Sequence, residues 1–340
     1  MFFYTLTFKR KILLSLLLVF TGIVVIDIAL FFYVNSHTTR DYFINNKFSK
    51  IKHFELNNTF QKDIIFIGSS RTFYHISTEI FKGNNIDIYN LGIAGAGLED
   101  YPAVIPKVIK SQPKKVVISL PVPKLFEELV ISQYTSPTVE EMKYYYDIDK
   151  IKFVKSLYIW AINRHVFLKH SEAIFYRIKS LYSKFDNSKV NELTKNDASK
   201  DLNYSKLVSC NIFDIKQISD NHQTLKCTNG DGILIGTSKP NKRDNVNINL
   251  SGLNQDTISF LSRIIKELKD NDIDIDIILE PIVNSKYQYD LENIKKNIDG
   301  ARIIDLTNYS LSSNMWAGGH LNYKGRNQYS KYLNSIYSDN

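Results

Sequence analysis

Apolar residues fill positions 12–34 almost without a break (ILLSLLLVFTGIVVIDIALFFYV), the polar exceptions being Ser15, Thr21 and Asp27. As a helix this run reaches about 34 Å, enough for a hydrocarbon core of roughly 30 Å. Lys9, Arg10 and Lys11 stand directly before it. Basic residues at that end predict a cytoplasmic N-terminus and an outward-facing remainder. No small-residue A-x-A site precedes Asn35 and Ser36, so the pattern predicts an uncleaved anchor rather than a signal peptide. Asp27 lies in the outer half of the span, where a carboxylate costs up to roughly 2.5–3.5 kcal/mol. Protonation near the outer interface would relieve that cost, as would a donor from a polytopic membrane partner.

Beyond the anchor the pattern changes period. Residues 35–62 are polar and mixed and read as a stalk. Short β-branched runs then end in turn residues: 63–67 before Gly68, 87–91 before Gly92, and 115–120 before Pro121. Between the second and third, Tyr101, Val104, Ile105 and Val108 recur at helical spacing within 98–110. The same alternation resumes far downstream. An amphipathic helix is expected over 256–269, with Ile258, Leu261, Ile264, Ile265 and Leu268 on one face. Strands at 273–279 and 301–305, a weaker helix at 291–298 and a last helix after Asn322 follow. Five such strands separated by helices predict a mainly parallel sheet covered on both faces.

The expected organisation is therefore a cytoplasmic end (1–11), an anchor (12–34), a stalk (35–62) and one α/β domain (63–121 with 253–340). An insertion (122–252) interrupts the domain. Its first part holds nine Lys or Arg between Lys143 and Lys184 against Asp147, Asp149 and Glu172. Such a basic, aromatic-rich helical region suits either an anionic bilayer surface or a buried cap with snorkelling lysines. The second part, 187–249, is rich in Asn, Asp, Lys and Ser and reads as loops.

The net charge of +8 calls for an acidic partner. Placement outside the membrane favours an anionic bilayer or polymer, and no nucleic-acid recognition motif appears. Cys210 and Cys227 are the only cysteines, with sixteen residues between them. On the oxidising side of a membrane that spacing suits a disulfide, and it matches no metal site.

Ligands of parallel sheets bind beyond the C-terminal strand ends. Gly68-Ser69-Ser70-Arg71 follows the first strand there, with the Ser70 hydroxyl at a strand-to-helix turn. Asn90-Leu-Gly-Ile-Ala-Gly95-Ala-Gly97 follows the second and lets backbone N–H groups approach a ligand. Its G-x-x-G-x-G spacing does not fit a dinucleotide fingerprint, and no cofactor is expected. Gly319-His320-Leu-Asn322-Tyr-Lys-Gly325 precedes the last helix. A loop histidine at this edge can take a proton from a serine and return it to a leaving group.

In this order the three blocks resemble the SGNH (GDSL-like) esterase and acyltransferase superfamily. The wording "GSSRT" and "HLN-x-x-G" looks like its membrane-anchored branch. That branch includes the D-alanyl transfer protein of the teichoic acid pathway and the alginate-type O-acetylation proteins. The resemblance covers 63–124 and 273–340. It implies a flavodoxin-like α/β/α sandwich with Ser70 as nucleophile, His320 as base, and the N–H groups of Ser70 and Gly95 as oxyanion donors. It further implies a cell-surface glycan or anionic polymer as substrate, and a polytopic O-acyltransferase in the same membrane as partner. Two positions depart from the family. Ala317 stands where the orienting aspartate is expected, and Pro121-Val-Pro123 replaces an asparagine after the third strand. Asp305, at the end of the last strand, is the candidate substitute acid. Loss of both groups also admits a catalytically degenerate glycan-binding or assembly subunit.

Overall fold

A computed structural model describes residues 8–38, 47–57, 60–131, 137–164, 210–219, 222–237, 246–283 and 285–338. Two compact units divide the chain, Met1–Asp41 with Val154–Leu202, and Tyr42–Phe153 with Asn203–Asn340.

In the first unit the apolar run forms helix α1 (Phe8–Thr38). Among its described side chains Asp27 alone is buried, at 8% exposure, while Leu13, Leu16, Phe20 and Val25 are exposed. Among the described residues no helix is long and apolar enough to cross a membrane. The stretch of α1 with described side chains carries Arg10, Lys11 and Asp27, and side chains 30–34 of the expected span lie outside it.

The second unit is built on five parallel strands: β1 (Ile64–Gly68), β2 (Ile88–Gly92), β3 (Lys115–Leu120), β8 (Asp274–Leu279) and β10 (Arg302–Asp305). Their order across the sheet is β10-β8-β3-β1-β2, all parallel. The fold is thus α/β, as the alternation predicts, and each strand lies within one residue of its expected place. β1 and β2 are buried at every position, and β3 and β8 at all but their first. Continuous burial rather than alternation marks a sheet covered on both faces. On one face Ile64, Phe66, Val117 and Ile278 pack with Phe81 of helix α4 (Thr78–Lys82). After α9 (Leu291–Asn297), the C-terminal helix α10 (Tyr323–Ser338) adds Tyr329, Leu333 and Tyr337.

The amphipathic segment forms α8 (Gln255–Lys269), whose five expected apolar positions are all buried. Each such Ile or Leu stabilises the fold by about 1.5–3 kcal/mol. Asn254 caps it by accepting from the Thr257 N–H at 3.0 Å. The expected helix over 98–110 is instead a 3₁₀ turn (Leu98–Ala103) followed by α5 (Ile105–Ser111). Pro102 and Pro106 lack the N–H groups that one continuous helix would need there.

Two expectations about connecting segments change. Residues 47–56 of the expected stalk form helix α2 (Lys47–Leu56), with Lys47, Lys50, Ile51, His53 and Phe54 buried. Its polar residues are buried because partners meet them. Lys47 Nζ binds Asp100 at 2.9 Å and Glu141 at 2.8 Å, and Lys50 Nζ donates to the Gly230 carbonyl at 2.5 Å. Burial pushes Lys50 down to about 7.

The expected loops around the cysteines hold an antiparallel sheet, β4 (Ile212–Ser219), β5 (His222–Cys227) and β6 (Gly232–Gly236). Further short strands β7 (Val246–Asn249) and β9 (Ser285–Gln288) pair with each other. The basic part of the insertion is described as α6 (Val139–Ile148) and α7 (Lys150–Arg164); 165–209 lie outside the described residues. In α6, Tyr144 and Tyr145 pack on Phe260 of α8, as a cap does. Ile151 of α7 is exposed.

Cys210 and Cys227 are bonded, and Cys227 is fully buried beside Leu225 and Ile233. Alkylation of the native protein without reductant is expected to leave both cysteines unmodified. Two modified thiols in material taken from its native source would contradict the bridge. Its loss should cost about 3 kcal/mol, the chain-entropy figure for a loop of this length.

Candidate active site

β1 ends at Gly68, Ser69 caps helix α3 (Ser70–His75), and Ser70 opens it. The Ser69 hydroxyl accepts from the Arg71 N–H at 3.3 Å, which starts the helix one residue after the cap. Asn90 of β2 holds the other end. Its fully buried amide donates to the carbonyls of Thr72, Phe73 and Ile76 at 3.1–3.2 Å and accepts from the Gly92 N–H. These contacts satisfy the carbonyls that a short helix leaves over, and they fix the turn that presents Ser70.

His320 arrives from the far end of the chain. Trp316–Ala317 (β11) and His320–Leu321 (β12) pair antiparallel, with Ala317 opposite His320. Asn322 then caps α10, its oxygen accepting from the N–H groups of Lys324 and Gly325. A Cβ on Gly325 would lie 2.4 Å from the Met315 carbonyl, so only glycine lets the helix start so close to the hairpin. The H-L-N-x-x-G wording is thus a histidine at the sheet edge, a cap and a close approach. His320 Nε2 lies 2.9 Å from Ser70 Oγ. The Tyr74 ring meets the His320 ring edge-on at 5.2 Å.

Gly95 belongs to the turn after β2, whose end registers with Gly68 and whose next N–H, that of Ile93, donates to the Gly68 carbonyl. Its φ of +79° is one that L side chains rarely adopt, and the space where a Cβ would point is open. Among the described residues the N–H groups of Ser70 and Gly95 carry no hydrogen bond. Both expected oxyanion donors therefore lie unspent on the sheet edge that carries the dyad.

Asp305 is employed elsewhere. Its Oδ1 accepts from the Thr307 N–H and hydroxyl, and its Oδ2 from the Tyr289 hydroxyl at 2.7 Å. No hydrogen bond joins it to His320. The carboxylate closes the turn after β10, and none of its contacts supports the expected role of orienting His320. Asp305→Asn is accordingly expected to change ester turnover by no more than about threefold, while costing roughly 1 kcal/mol of stability. Paired measurements of turnover and thermal midpoint check this. A hundredfold loss of rate would restore the catalytic role.

Two residues that sequence reading passed over, His75 and Glu280, frame the dyad together with Asn90. Asn90 braces α3, as above. His75, five positions after Ser70, is buried beneath the hairpin, its pKa pressed well down by burial and by the neighbouring His320, Arg71 and Arg326. Glu280, next after β8, is buried behind the Ser70 turn. It accepts from the Ser119 hydroxyl at 2.7 Å and lies 4.0 Å from the Arg71 guanidinium. Burial pushes its pKa up, against the pull of Arg71. A charged residue closing the apolar run 277–279 is the signal that could have found it. A separate, shallow recess between Lys47, Asp100, Glu141 and Tyr145 includes neither Ser70 nor His320. Among the described residues no cluster of His, Cys, Asp and Glu is arranged to hold a metal ion.

No family model matches this sequence, and no curated protein matches it either.

Proposed function

We propose that this protein transfers or hydrolyses acyl groups on a cell-surface glycan or anionic polymer, with Ser70 as nucleophile and His320 as base. The observation that carries the reading is the 2.9 Å contact between His320 Nε2 and Ser70 Oγ at the C-terminal edge of a parallel sheet. The strand order β2-β1-β3-β8-β10 supports the flavodoxin-like sandwich that the resemblance implies.

In this reaction Ser70 Oγ attacks the acyl carbonyl and gives its proton to His320 Nε2. The carbonyl oxygen takes the negative charge and faces the N–H groups of Ser70 and Gly95. Collapse expels the donor's leaving group, which collects the proton from His320. A hydroxyl of the glycan, or water, then loses its proton to His320 and attacks the acyl-serine. Ser70 regains the proton as the new ester, or the free acid, departs. Water and glycan differ here only in which hydroxyl reaches the acyl group.

The proposal places this chemistry outside the cytoplasm, with 12–34 as a single-pass anchor and a polytopic O-acyltransferase as donor of the acyl group. The apolar run 12–34 with Lys9, Arg10 and Lys11 before it, and the Cys210–Cys227 bridge, support that placement. A reporter that fluoresces only in the cytoplasm, fused after Asn340, is expected to stay dark. A bright fusion would overturn the topology.

Ala317 favours a second reading, a degenerate fold that binds or assembles without catalysis. A fluorophosphonate probe on the full-length, detergent-solubilised protein separates the two. Catalysis predicts stoichiometric labelling of the peptide that contains Ser70. An unlabelled, folded protein would leave the binding role.

A further inference from the structure

The hairpin that carries His320 is a weak platform taken alone. Each of its strands has two residues, joined through Gly318 and Gly319, and isolated two-stranded ribbons are marginal. Its position over Ser70 must come from what it is tied to.

His75 supplies a tie. The residue ends α3, the helix that Ser70 opens, and its ring is buried at 1% exposure. Its Nε2 lies 3.0 Å from the backbone nitrogen of Leu321, the residue after His320. A backbone N–H only donates, so Nε2 is the bare nitrogen and Nδ1 carries the proton. Among the described residues this is the one hydrogen bond between hairpin and α3 besides His320–Ser70 itself. The ring also packs edge-on against Trp316 and His320, both centroids 6.1 Å away. It therefore touches both hairpin strands.

α10 secures the same end of α3. The Ser330 hydroxyl donates to the His75 carbonyl at 3.1 Å and accepts from the Ser77 N–H at 2.9 Å. Arg326 Nη2 donates to the Ile76 carbonyl at 2.9 Å. His75 is thus held on one side and holds the hairpin on the other.

We propose that His75 is a positioning residue, whose neutral imidazole fixes the His320 strand against the Ser70 helix so that base and nucleophile stay in register. The inference rests on the serine-transfer reading for its consequence, though not for its geometry.

The test compares His75→Leu, which removes the acceptor, with His75→Gln, which keeps an acceptor oxygen near the position of Nε2. Both are made in the full-length protein. Two quantities are read, the rate of fluorophosphonate labelling at Ser70 and deuterium exchange of the Leu321 amide. Displacement of about 1 Å at a catalytic group costs on the order of 10²-fold, so H75L should label at least ~30-fold more slowly. Its Leu321 amide should exchange faster. H75Q should keep labelling within about fivefold of the unmodified protein and keep Leu321 protected, since the acceptor that matters is preserved. A folded H75L that labels at the unmodified rate would overturn the proposal. H75Q labelling as slowly as H75L would do the same.

If H75L does not fold, H75Q decides alone: protection retained with labelling lost sinks the idea. If the unmodified protein does not label at all, the serine-transfer reading fails on its own account. The exchange readout then still judges the tie, and unchanged Leu321 exchange in H75L rejects it.

Discussion

Ser70→Ala and His320→Ala are each expected to lower turnover of a small activated ester by at least about 10³-fold, and the double variant no further. On the proposed mechanism the two side chains perform one act, since the proton leaving Ser70 Oγ would move to a nitrogen 2.9 Å away. Removing the acceptor leaves a hydroxyl that is weakly nucleophilic at its free pKa, and removing the hydroxyl leaves the base nothing to activate. Their effects therefore overlap instead of multiplying. Stability should barely move. Ser70 is partly exposed and, among the described residues, its one side-chain hydrogen bond is to His320, so Ser70→Ala should cost about 1 kcal/mol or less. The measurement is steady-state hydrolysis by the four proteins, with thermal midpoints alongside. Additive losses would mean that serine and histidine act separately. Unchanged turnover in Ser70→Ala would end the catalytic reading.

The dyad was legible because the rule of strand ends works without long-range information. Each candidate block follows a strand or precedes a helix, and parallel topology brings such ends to one edge even when 250 residues separate them. The place of Gly95 after β2 was legible for the same reason. What the sequence hid were side chains whose meaning lies in distant partners. Lys47, Lys50 and His53 look like a solvated stalk until Asp100, Glu141, Gly230 and Tyr89 are seen to meet them. β5 was read as loop because Thr224 and Lys226 interrupt its apolar residues, yet both are buried. Asp305 looked like a spare acid because strand-end position alone does not distinguish a turn cap from a base-orienting group. The hydroxyls of Tyr289 and Thr307 decide that. His75 carried no signal at all, since no rule links a position five residues after a nucleophile to the strand of its base.

Ala317→Asp is expected to gain rate and lose stability together. Ala317 pairs directly across from His320 in the hairpin. Such cross-strand neighbours place their Cβ atoms about 4.5–5.5 Å apart on one face. A carboxylate at 317 would therefore stand beside the His320 imidazole, which is why an acid three residues before the histidine can orient it. Held as a donor to that carboxylate, the far nitrogen would leave Nε2 bare to take the Ser70 proton. The upper limit of the gain is about 10⁴-fold, the loss seen when this role is removed from a serine protease. The cost arises from the surroundings. Ala317 is 1% exposed and packs with Phe73, Tyr74 and Leu234. A carboxylate buried among such groups costs several kcal/mol unless paired, and pairing with an imidazolium returns only part of it. Ala317→Asn separates the terms, because it has nearly the same volume and no charge, so it should lose stability without a comparable gain in rate. Combining Ala317→Asp with His320→Ala strips the carboxylate of its partner. That double variant should fall below the sum of the single stability losses by about 1–3 kcal/mol. A folded Ala317→Asp protein with unchanged turnover and no such coupling would show that the carboxylate does not reach His320. The hairpin geometry would then have to be redrawn.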